Sequence, residues 1–228
     1  MGWGISRAFF VFTIISIVFF LTFSQIDILV SSLFYSTTEG FYLSKHPIIL
    51  FIYSIPRVIV ILAVLALVVL LLDLTLKKKL FNIRPLMLFY FVSVMSIGPG
   101  IIVHNVLKDN WGRARPAKII EFGGVKEFTP AWVLSDQCHK NCSFVSGHSG
   151  GAFGLIALAL LVKKRRKTAL VSAIALGSVV GLGRIIQGGH FLSDVFFSFI
   201  IVYLTAKILY YFTFKKELFN FIDKRCTS

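Results

Sequence analysis

Two histidines and an aspartate in the second half of the chain have the types and spacing needed for acid–base or nucleophilic chemistry. His190 and Asp194 are four positions apart, so they share one face if this segment is helical. A histidine held by a carboxylate is an oriented nucleophile or base, and a second histidine, here His148, can serve as the acid. We interpret the other three histidines as hydrogen-bonded structural residues: His46, His104 and His139.

Basic residues accompany these groups. Lys108, Arg113 and Arg115 lie within eight positions of one another, and Arg184 precedes His190 by six. Lys108 and Arg115 are about two helical turns apart, so they point the same way if a helix continues through them. Cations stabilise an anion whose charge spreads in the transition state, and phosphoryl transfer depends mainly on such stabilisation and on positioning. The cluster therefore indicates an anion site suited to phosphoryl transfer.

The composition predicts that membrane helices position these residues. Of the 228 residues, 57% are hydrophobic and only 15% are charged, and the mean hydropathy is +0.84. A soluble domain carries about 25% charged residues, so this chain could not cover a water-facing surface. The same figures exclude a disordered chain, and three cysteines are too few for a disulfide scaffold.

Apolar runs of about 20 residues, the length needed to cross a bilayer, recur along the chain. We predict an all-α, polytopic integral membrane protein that forms a single domain over residues 1–228, with its motif-bearing core at about 85–214. The stretch 46–53 is interpreted as interfacial, with Pro56 in the first turn of the second span. The six predicted transmembrane helices are 8–23, about 56–72, 85–107, 144–162, 168–186 and 191–214.

The distribution of charge predicts the orientation. If the N-terminus is inside, the inner segments hold 14 of the 24 basic residues and the outer loops hold seven, which the positive-inside rule favours. The prediction is therefore N-in and C-in, with every candidate site residue at the outer face. Topology accounts for most of the net charge of +14, so we expect no nucleic-acid partner.

Three short patterns resemble the signature motifs of the type-2 phosphatidic acid phosphatase superfamily. They are Lys108 with Arg115-Pro116, Ser146-Gly147-His148, and Arg184 with His190 and Asp194. The resemblance implies a metal-independent phosphoric monoester hydrolase that needs no cofactor and acts on membrane lipids. It implies that His190 is the nucleophile and forms a phosphohistidine, that Asp194 orients it, and that His148 is the general acid and base. The implied phosphate-binding residues are Lys108, Arg115, Ser146, Gly147 and Arg184.

Two loop segments, 98–116 and 138–149, are similar to those of bacterial lipid A phosphatases. This implies that the substrate is lipid A. It also implies that the protein lies in the bacterial inner (cytoplasmic) membrane with its active site facing the periplasm. Undecaprenyl pyrophosphate and phosphatidylglycerophosphate are the alternative substrates. A small anion transporter or channel is the alternative outside enzymes, but no charged residue marks a path through the middle of the membrane. Intact His148, His190 and Asp194 argue against a catalytically inactive scaffold.

Two further features of the outer face have alternative readings. Cys138 and Cys142 lie in an outer loop, and a disulfide is the favoured interpretation, ahead of free thiols and of a metal site with His139. No metal is otherwise expected, since no carboxylate cluster suits a divalent cation. Arg57, near the outer end of the second span, either contacts the substrate headgroup or snorkels to the interface.

Overall fold

The protein is described here by a computed structural model of residues 7–77, 81 and 83–214. Within these ranges the named elements are all helical, which confirms the predicted all-α class. Several residues counted for the orientation, among them Lys78 and 215–228, lie outside the described residues. The helices are α1 (Arg7–Thr22), α2 (Gln25–Ser32), α3 (Pro47–Leu76), α4 (Pro85–Met95), α5 (Gly147–Phe153), α6 (Leu155–Leu161), α7 (Arg166–Ile186) and α8 (Leu192–Phe214).

Four of the described helical segments are long and apolar enough to cross a membrane. They are α3, α4 with its continuation to Lys108, α7 and α8. The helices α1 and α2 would form a fifth span if they are counted together, although they are bent by 76° with respect to each other. The predicted fourth span corresponds to α5 and α6, a shorter apolar segment from Gly147 to Leu161.

The helix α3 begins earlier than predicted. It runs without interruption from Pro47 to Leu76, so Pro47 and not Pro56 occupies the first turn. Residues 47–53 therefore belong to the same helix as the second span, and the prediction that Pro56 lies in its first turn was wrong. Pro56 lies buried inside the helix, where it removes one backbone hydrogen bond. Membrane helices tolerate such a proline because neighbouring groups satisfy the freed carbonyl.

The helix α4 changes its winding before it reaches the site. From Ser96 to Lys108 it continues as a π-helix, which contains Pro99 between Gly98 and Gly100. Proline and glycine both weaken regular α-helical winding, which accounts for the change at this point. The helix ends at Lys108, and Arg115 lies in the loop beyond it. The condition for both residues to share a helix face, a helix that continues from Lys108 to Arg115, is therefore not met.

Two glycines of α7 permit close helix packing. A Cβ atom at Gly177 would collide with the ring of Phe153 on α5, and one at Gly181 would collide with Val195 on α8. The four-residue spacing of these glycines is typical of membrane helices that pack closely. The contacts hold α7 against α5 and α8, and so place the end of α7 beside the start of the two other helices.

Candidate active site

His190 lies in the turn between α7 and α8, and its side chain is completely buried. Its Nδ1 atom is 2.7 Å from the carbonyl oxygen of Ser143. A carbonyl can only accept, so Nδ1 carries the hydrogen and Nε2 keeps a free lone pair. Burial, opposed by Asp194 and assisted by the nearby charges of Arg184 and Lys108, lowers the pKa of His190 to about 3. A neutral imidazole with a free Nε2 is the form that a nucleophile requires.

Asp194 acts on His190 less directly than the sequence suggested. Its Oδ2 atom is 3.7 Å from Nδ1 of His190, which is within ion-pair range but too long for a hydrogen bond. Oδ2 instead accepts hydrogen bonds from the Ser143 hydroxyl at 2.5 Å and from the Phe191 N–H at 2.8 Å. Ser143 therefore connects the two residues, since its carbonyl holds His190 and its hydroxyl contacts Asp194.

Arg113 does not face an anion site, contrary to its inclusion in the predicted cluster. Its side chain is completely buried and donates to Asp194 Oδ1 at 2.6 Å and to Asp27 Oδ2 at 2.8 Å. It also donates to the Ser193 hydroxyl at 2.9 Å and to the Thr129 carbonyl at 2.7 Å. A buried guanidinium needs such partners because an unpaired charge in the interior is very costly. Arg113 therefore helps to hold the site residue Asp194 in place.

His148 is the second residue of α5, and its ring is in contact with the ring of Tyr53 on α3. The ring centroids of His148 and Tyr53 are 4.3 Å apart, and the guanidinium carbon of Arg184 lies 4.9 Å from the centroid of Tyr53. Tyr53 therefore packs against both the candidate acid and a candidate phosphate-binding cation. Nothing in the local sequence around Tyr53 signals this role, which depends on the approach of α3 to α5 and α7.

Two of the predicted phosphate-binding cations are held by their surroundings. Arg184 is almost completely buried and donates through Nη1 to the side-chain oxygen of Gln187. A Cβ atom at position 189 would collide with this guanidinium, so Gly189 leaves the space that it occupies. Arg115 donates to the carbonyl oxygen of Asn141 from Nε at 3.2 Å and from Nη2 at 2.8 Å.

Three of the buried polar atoms that lack a hydrogen-bond partner in the described part of the chain lie on adjoining elements of the site. They are Ser146 Oγ before α5, Arg184 Nε at the end of α7, and His190 Nε2 before α8. The charge of Arg184 acts on His190, and the Ser146 N–H donates to the main-chain carbonyl of Asp194 at 3.1 Å. Lys108, which is only 3% exposed, is close enough to Arg115 and Arg184 for their charges to repel one another. Buried polar groups are normally satisfied, and mutually repelling cations are stabilised by an anion. The arrangement fits an anion that accepts hydrogen bonds from Ser146 and Arg184 while His190 faces it.

The loop before α5 is closed by a disulfide between Cys138 and Cys142, whose Cα atoms are 5.6 Å apart. The loop is fixed to the end of α4 by a hydrogen bond from the Cys142 N–H to the Lys108 carbonyl. It contains Asn141, the residue that holds Arg115. Within residues 7–77, 81 and 83–214, no three histidine, cysteine or acidic side chains are grouped so that they could hold a metal ion.

The structure brings the sequence-predicted site residues to one end of the helix bundle. Four residues that contribute to this end were not predicted: Asp27, Tyr53, Ser143 and Ser193. Of these, Asp27 carried a signal, since it is the first acidic residue of the chain and lies in an apolar segment. An ionisable residue in such a segment is a candidate functional residue by default.

Comparison with known proteins agrees with this geometry. The family model of the PAP2 superfamily matches residues 86–218, which is more than half of the chain and includes all three motifs. The chain belongs to the PAP2 superfamily. This confirms the resemblance inferred from the motifs, and as a member the chain is a membrane lipid phosphatase, a phosphoric monoester hydrolase.

Relatives of this PAP2 protein include three bacterial enzymes. The lipid A 4'-phosphatase of Francisella tularensis subsp. novicida (strain U112) is 36% identical over 204 residues, 88% of this chain and 91% of that protein. The lipid A 4'-phosphatase of Rhizobium etli is 41% identical over 105 residues, 46% of this chain and 41% of its own length. That of Rhizobium leguminosarum is 40% identical over 105 residues, 46% of this chain and 45% of its own length. No solved structure matches this chain.

Proposed function

We propose that this protein removes a phosphate monoester from lipid A at the periplasmic face of the bacterial inner membrane, through a phosphohistidine on His190. The convergence of Ser146 Oγ, Arg184 Nε and His190 Nε2 carries the proposal, because a phosphate bound there would meet two hydrogen-bond donors and one nucleophile. The names of the relatives support lipid A as the substrate.

In the first step, the lone pair of His190 Nε2 attacks phosphorus while the bond from phosphorus to the lipid oxygen breaks. Before phosphate binds, burial and the surrounding cations disfavour a proton on His148, and the bound phosphate then offsets those cations. His148, protonated in the complex with phosphate, donates its proton to the departing oxygen. The ring of His190 becomes positively charged, and Asp194, 3.7 Å from Nδ1, stabilises that charge. Lys108, Arg115 and Arg184 neutralise the charge that spreads over the phosphoryl oxygens.

In the second step, His148 is neutral and accepts a proton from water, and the oxygen of that water attacks phosphorus. The bond from phosphorus to Nε2 breaks, and inorganic phosphate leaves. His190 returns to its neutral form with the hydrogen on Nδ1, bonded to the carbonyl of Ser143. His148 thus serves as acid and then as base, and each step leaves it ready for the next.

We propose six membrane crossings on the basis of which helix ends meet at the site, and both termini inside on the basis of the basic residues in the loops. The π-helix after α4 ends there with Lys108, α5 begins there with Gly147, and α7 ends there near Arg184. If α7 ends at this face it begins at the other, so α5 and α6 together must cross between them. In the same way, α2 brings Asp27 to this face, and α3 starts near this face with Tyr53. The pair α1 and α2 therefore crosses once, and α3 crosses once. The whole chain, residues 1–228, then forms one catalytic domain around the core at about 85–214.

A cavity beside the site supports a substrate with an acyl chain. It has a volume of about 480 Å³ and extends along α3 from Tyr53 to Leu67, with His148 at the site end. Arg57 also lines it, at a position where it could contact a headgroup. Beyond Arg57 the wall along α3 is apolar, and an acyl chain is the part of a lipid that is stabilised by contact with such a surface. The other apolar side chains of this wall are Pro56, Val60, Ala63 and Val64.

The test is phosphate release by the purified protein in detergent. Lipid A, undecaprenyl pyrophosphate, phosphatidylglycerophosphate and phosphatidic acid are compared with nitrophenyl phosphate, each with and without EDTA. We expect the highest kcat/KM for lipid A, no loss in EDTA, and no activity of His190→Ala. A higher kcat/KM for another lipid would overturn the lipid A assignment, and loss in EDTA reversed by Mg²⁺ would overturn the metal-free mechanism.

A further inference from the structure

Asp27, on α2, is completely buried against the start of α8. Its Oδ1 atom accepts a hydrogen bond from the Ser193 N–H at 2.8 Å, and its Oδ2 atom accepts one from the Ser193 hydroxyl at 2.5 Å. The first N–H groups of a helix have no partner within the helix and favour a negative charge nearby. Asp27 therefore stabilises the first turn of the helix that also carries Asp194.

The second contact of Asp27 leads to the catalytic centre. Nη2 of Arg113 is 2.8 Å from Asp27 Oδ2, and Nη1 of the same guanidinium is 2.6 Å from Asp194 Oδ1. All three side chains are completely buried. A guanidinium is planar and rigid, so fixing one of its nitrogens fixes the direction of the other. Asp27 thus determines where Arg113 can hold Asp194.

The three side chains also carry a defined net charge. Both oxygens of Asp27 accept hydrogen bonds only, one of them from the Arg113 guanidinium, which is the pattern of an ionised carboxylate. Two ionised carboxylates and one guanidinium sum to minus one beside His190. When Nε2 of His190 attacks phosphorus, its ring becomes positive in a site that excludes water. Electrostatic interactions are strong there, so a neighbouring net negative charge lowers the free energy of the transition state. Removing the charge of Asp27 would leave Arg113 and Asp194 to neutralise each other.

We propose that Asp27 is a positioning residue for phosphoryl transfer, which acts on His190 through Arg113 and Asp194. The inference rests on the phosphohistidine mechanism proposed above. Asp27 lies outside residues 86–218, the region matched by the family model, so the support comes from the N-terminal helix pair. The helices α1 and α2 then contribute to catalysis and not only to anchoring.

Two substitutions separate this role from a purely structural one. Asp27→Asn keeps the shape of the side chain and an acceptor for Ser193, but it removes the charge. Asp27→Glu keeps the charge but adds a methylene group to a packed interior, which strains it. Both variants should lose stability, since Asp27→Asn removes a charged partner of the buried Arg113 guanidinium and Asp27→Glu overpacks the site. A purely structural role predicts that folded protein of either variant keeps a similar kcat. The proposed role predicts that folded Asp27→Glu keeps most of the wild-type kcat and that folded Asp27→Asn does not.

The experiment uses the full-length protein in detergent with nitrophenyl phosphate as the probe. Single-turnover quenching gives the rate of phosphohistidine formation, steady-state assays give kcat and KM, and thermal unfolding gives stability. We expect Asp27→Asn to lower the phosphorylation rate and kcat by about 10²-fold with KM unchanged. Asp73→Asn is the matched control, a buried aspartate about 30 Å farther along α3 from Tyr53, and it should keep the wild-type kcat.

A wild-type kcat for Asp27→Asn, or a raised KM with unchanged kcat, would overturn the inference while leaving the proposed function intact. Absence of phosphohistidine in the wild-type protein would instead remove the proposed function itself. If Asp27→Asn does not fold, Ser193→Ala provides the test, since it removes the hydroxyl shared by Asp27 and Arg113 and keeps both charges. It should then lower kcat about 10-fold with KM unchanged, and a wild-type kcat would count against the role.

Discussion

The Nδ1–H of His190 donates its hydrogen bond to the main-chain carbonyl of Ser143 at 2.7 Å, and not to the carboxylate of Asp194. A backbone carbonyl cannot titrate or be removed by substitution, so the tautomer of His190 is fixed independently of any acidic side chain. This differs from a serine-protease triad, in which loss of the aspartate allows the wrong histidine tautomer.

The first prediction follows from this arrangement. Asp194→Asn removes the charge that stabilises the His190 ring but leaves the tautomer in place, so kcat should fall about 10²-fold. A wrong tautomer would cost about 10⁴-fold. Ser143→Ala, which keeps the carbonyl and loses only the hydroxyl contact with Asp194, should lower kcat about 10-fold. Steady-state assays with nitrophenyl phosphate measure both, and a 10⁴-fold loss in Asp194→Asn would contradict the prediction.

The second prediction concerns the roles of the two histidines. His148→Ala lacks the acid, but a nitrophenolate leaving group needs none, so His190 can still be phosphorylated. The phosphoenzyme should then persist, because the same residue activates water in the second step. Acid-labile, alkali-stable phosphohistidine should accumulate in His148→Ala and be absent from His190→Ala and from the double variant. Equal labelling of His190→Ala would place the nucleophile elsewhere.

The third prediction is a dependence of stability on pH. The pKa of His190 is lowered to about 3 by burial in the folded protein, whereas an exposed histidine titrates near 6.5. Above pH 6.5 the residue is neutral in both states and contributes no pH dependence. As the pH falls from 6.5 toward 3, the unfolded chain gains a proton that the folded chain does not, so the free energy of unfolding decreases.

Thermal unfolding in detergent at pH 7.5, 6 and 5 measures this effect. The melting temperature of the wild-type protein should fall with pH by more than that of His190→Gln, which lacks the titrating group. Parallel decreases in the two proteins would assign the acid sensitivity to other residues. The wild-type kcat should also show no loss at pH 6.5 that arises from protonation of His190.

Sequence patterns revealed the groups that we propose to contact the substrate better than the groups that hold them in place. His148, His190 and Asp194 were recognisable because motif spacing is local, and the apolar runs were recognisable because a bilayer requires long uncharged segments. The role of Arg113 was missed because its partner Asp27 is 86 positions away. The start of α3 was misplaced because a proline favours the first turn of a helix, and both Pro47 and Pro56 met that criterion. Tertiary packing decides which distant residues become partners, and it decides which of two prolines begins a helix.

The fourth prediction tests the apolar cavity along α3. Ala63→Trp places a large side chain in the cavity, so it should raise KM for lipid A about 10-fold or more. Turnover of nitrophenyl phosphate, which has no acyl chain, should stay at the wild-type level. Leu62→Trp is the matched control, because Leu62 is exposed on the neighbouring surface of α3 and should have no effect on either substrate. Equal losses for both substrates in Ala63→Trp would indicate damage to the fold.

The fifth prediction concerns the orientation of the site. In the proposed topology, the loop between Lys108 and Gly147 faces the periplasm, and the basic turn between α6 and α7 faces the cytoplasm. Val125 is 87% exposed in the first and Lys164 is exposed in the second, so each accepts a cysteine without disturbing the interior. The starting protein carries Cys226→Ser and retains the disulfide of Cys138 and Cys142.

A membrane-impermeant maleimide applied to intact spheroplasts should label Val125→Cys, and it should label Lys164→Cys only after lysis. The reason is the positive-inside rule, since five consecutive basic residues, 163–167, are retained on the cytoplasmic side. Because Lys108, His148, His190 and the loop of Val125 lie at the same end of the bundle, the result also places the active site. Labelling of Lys164→Cys alone in intact spheroplasts would invert the topology and move dephosphorylation to the cytoplasmic leaflet.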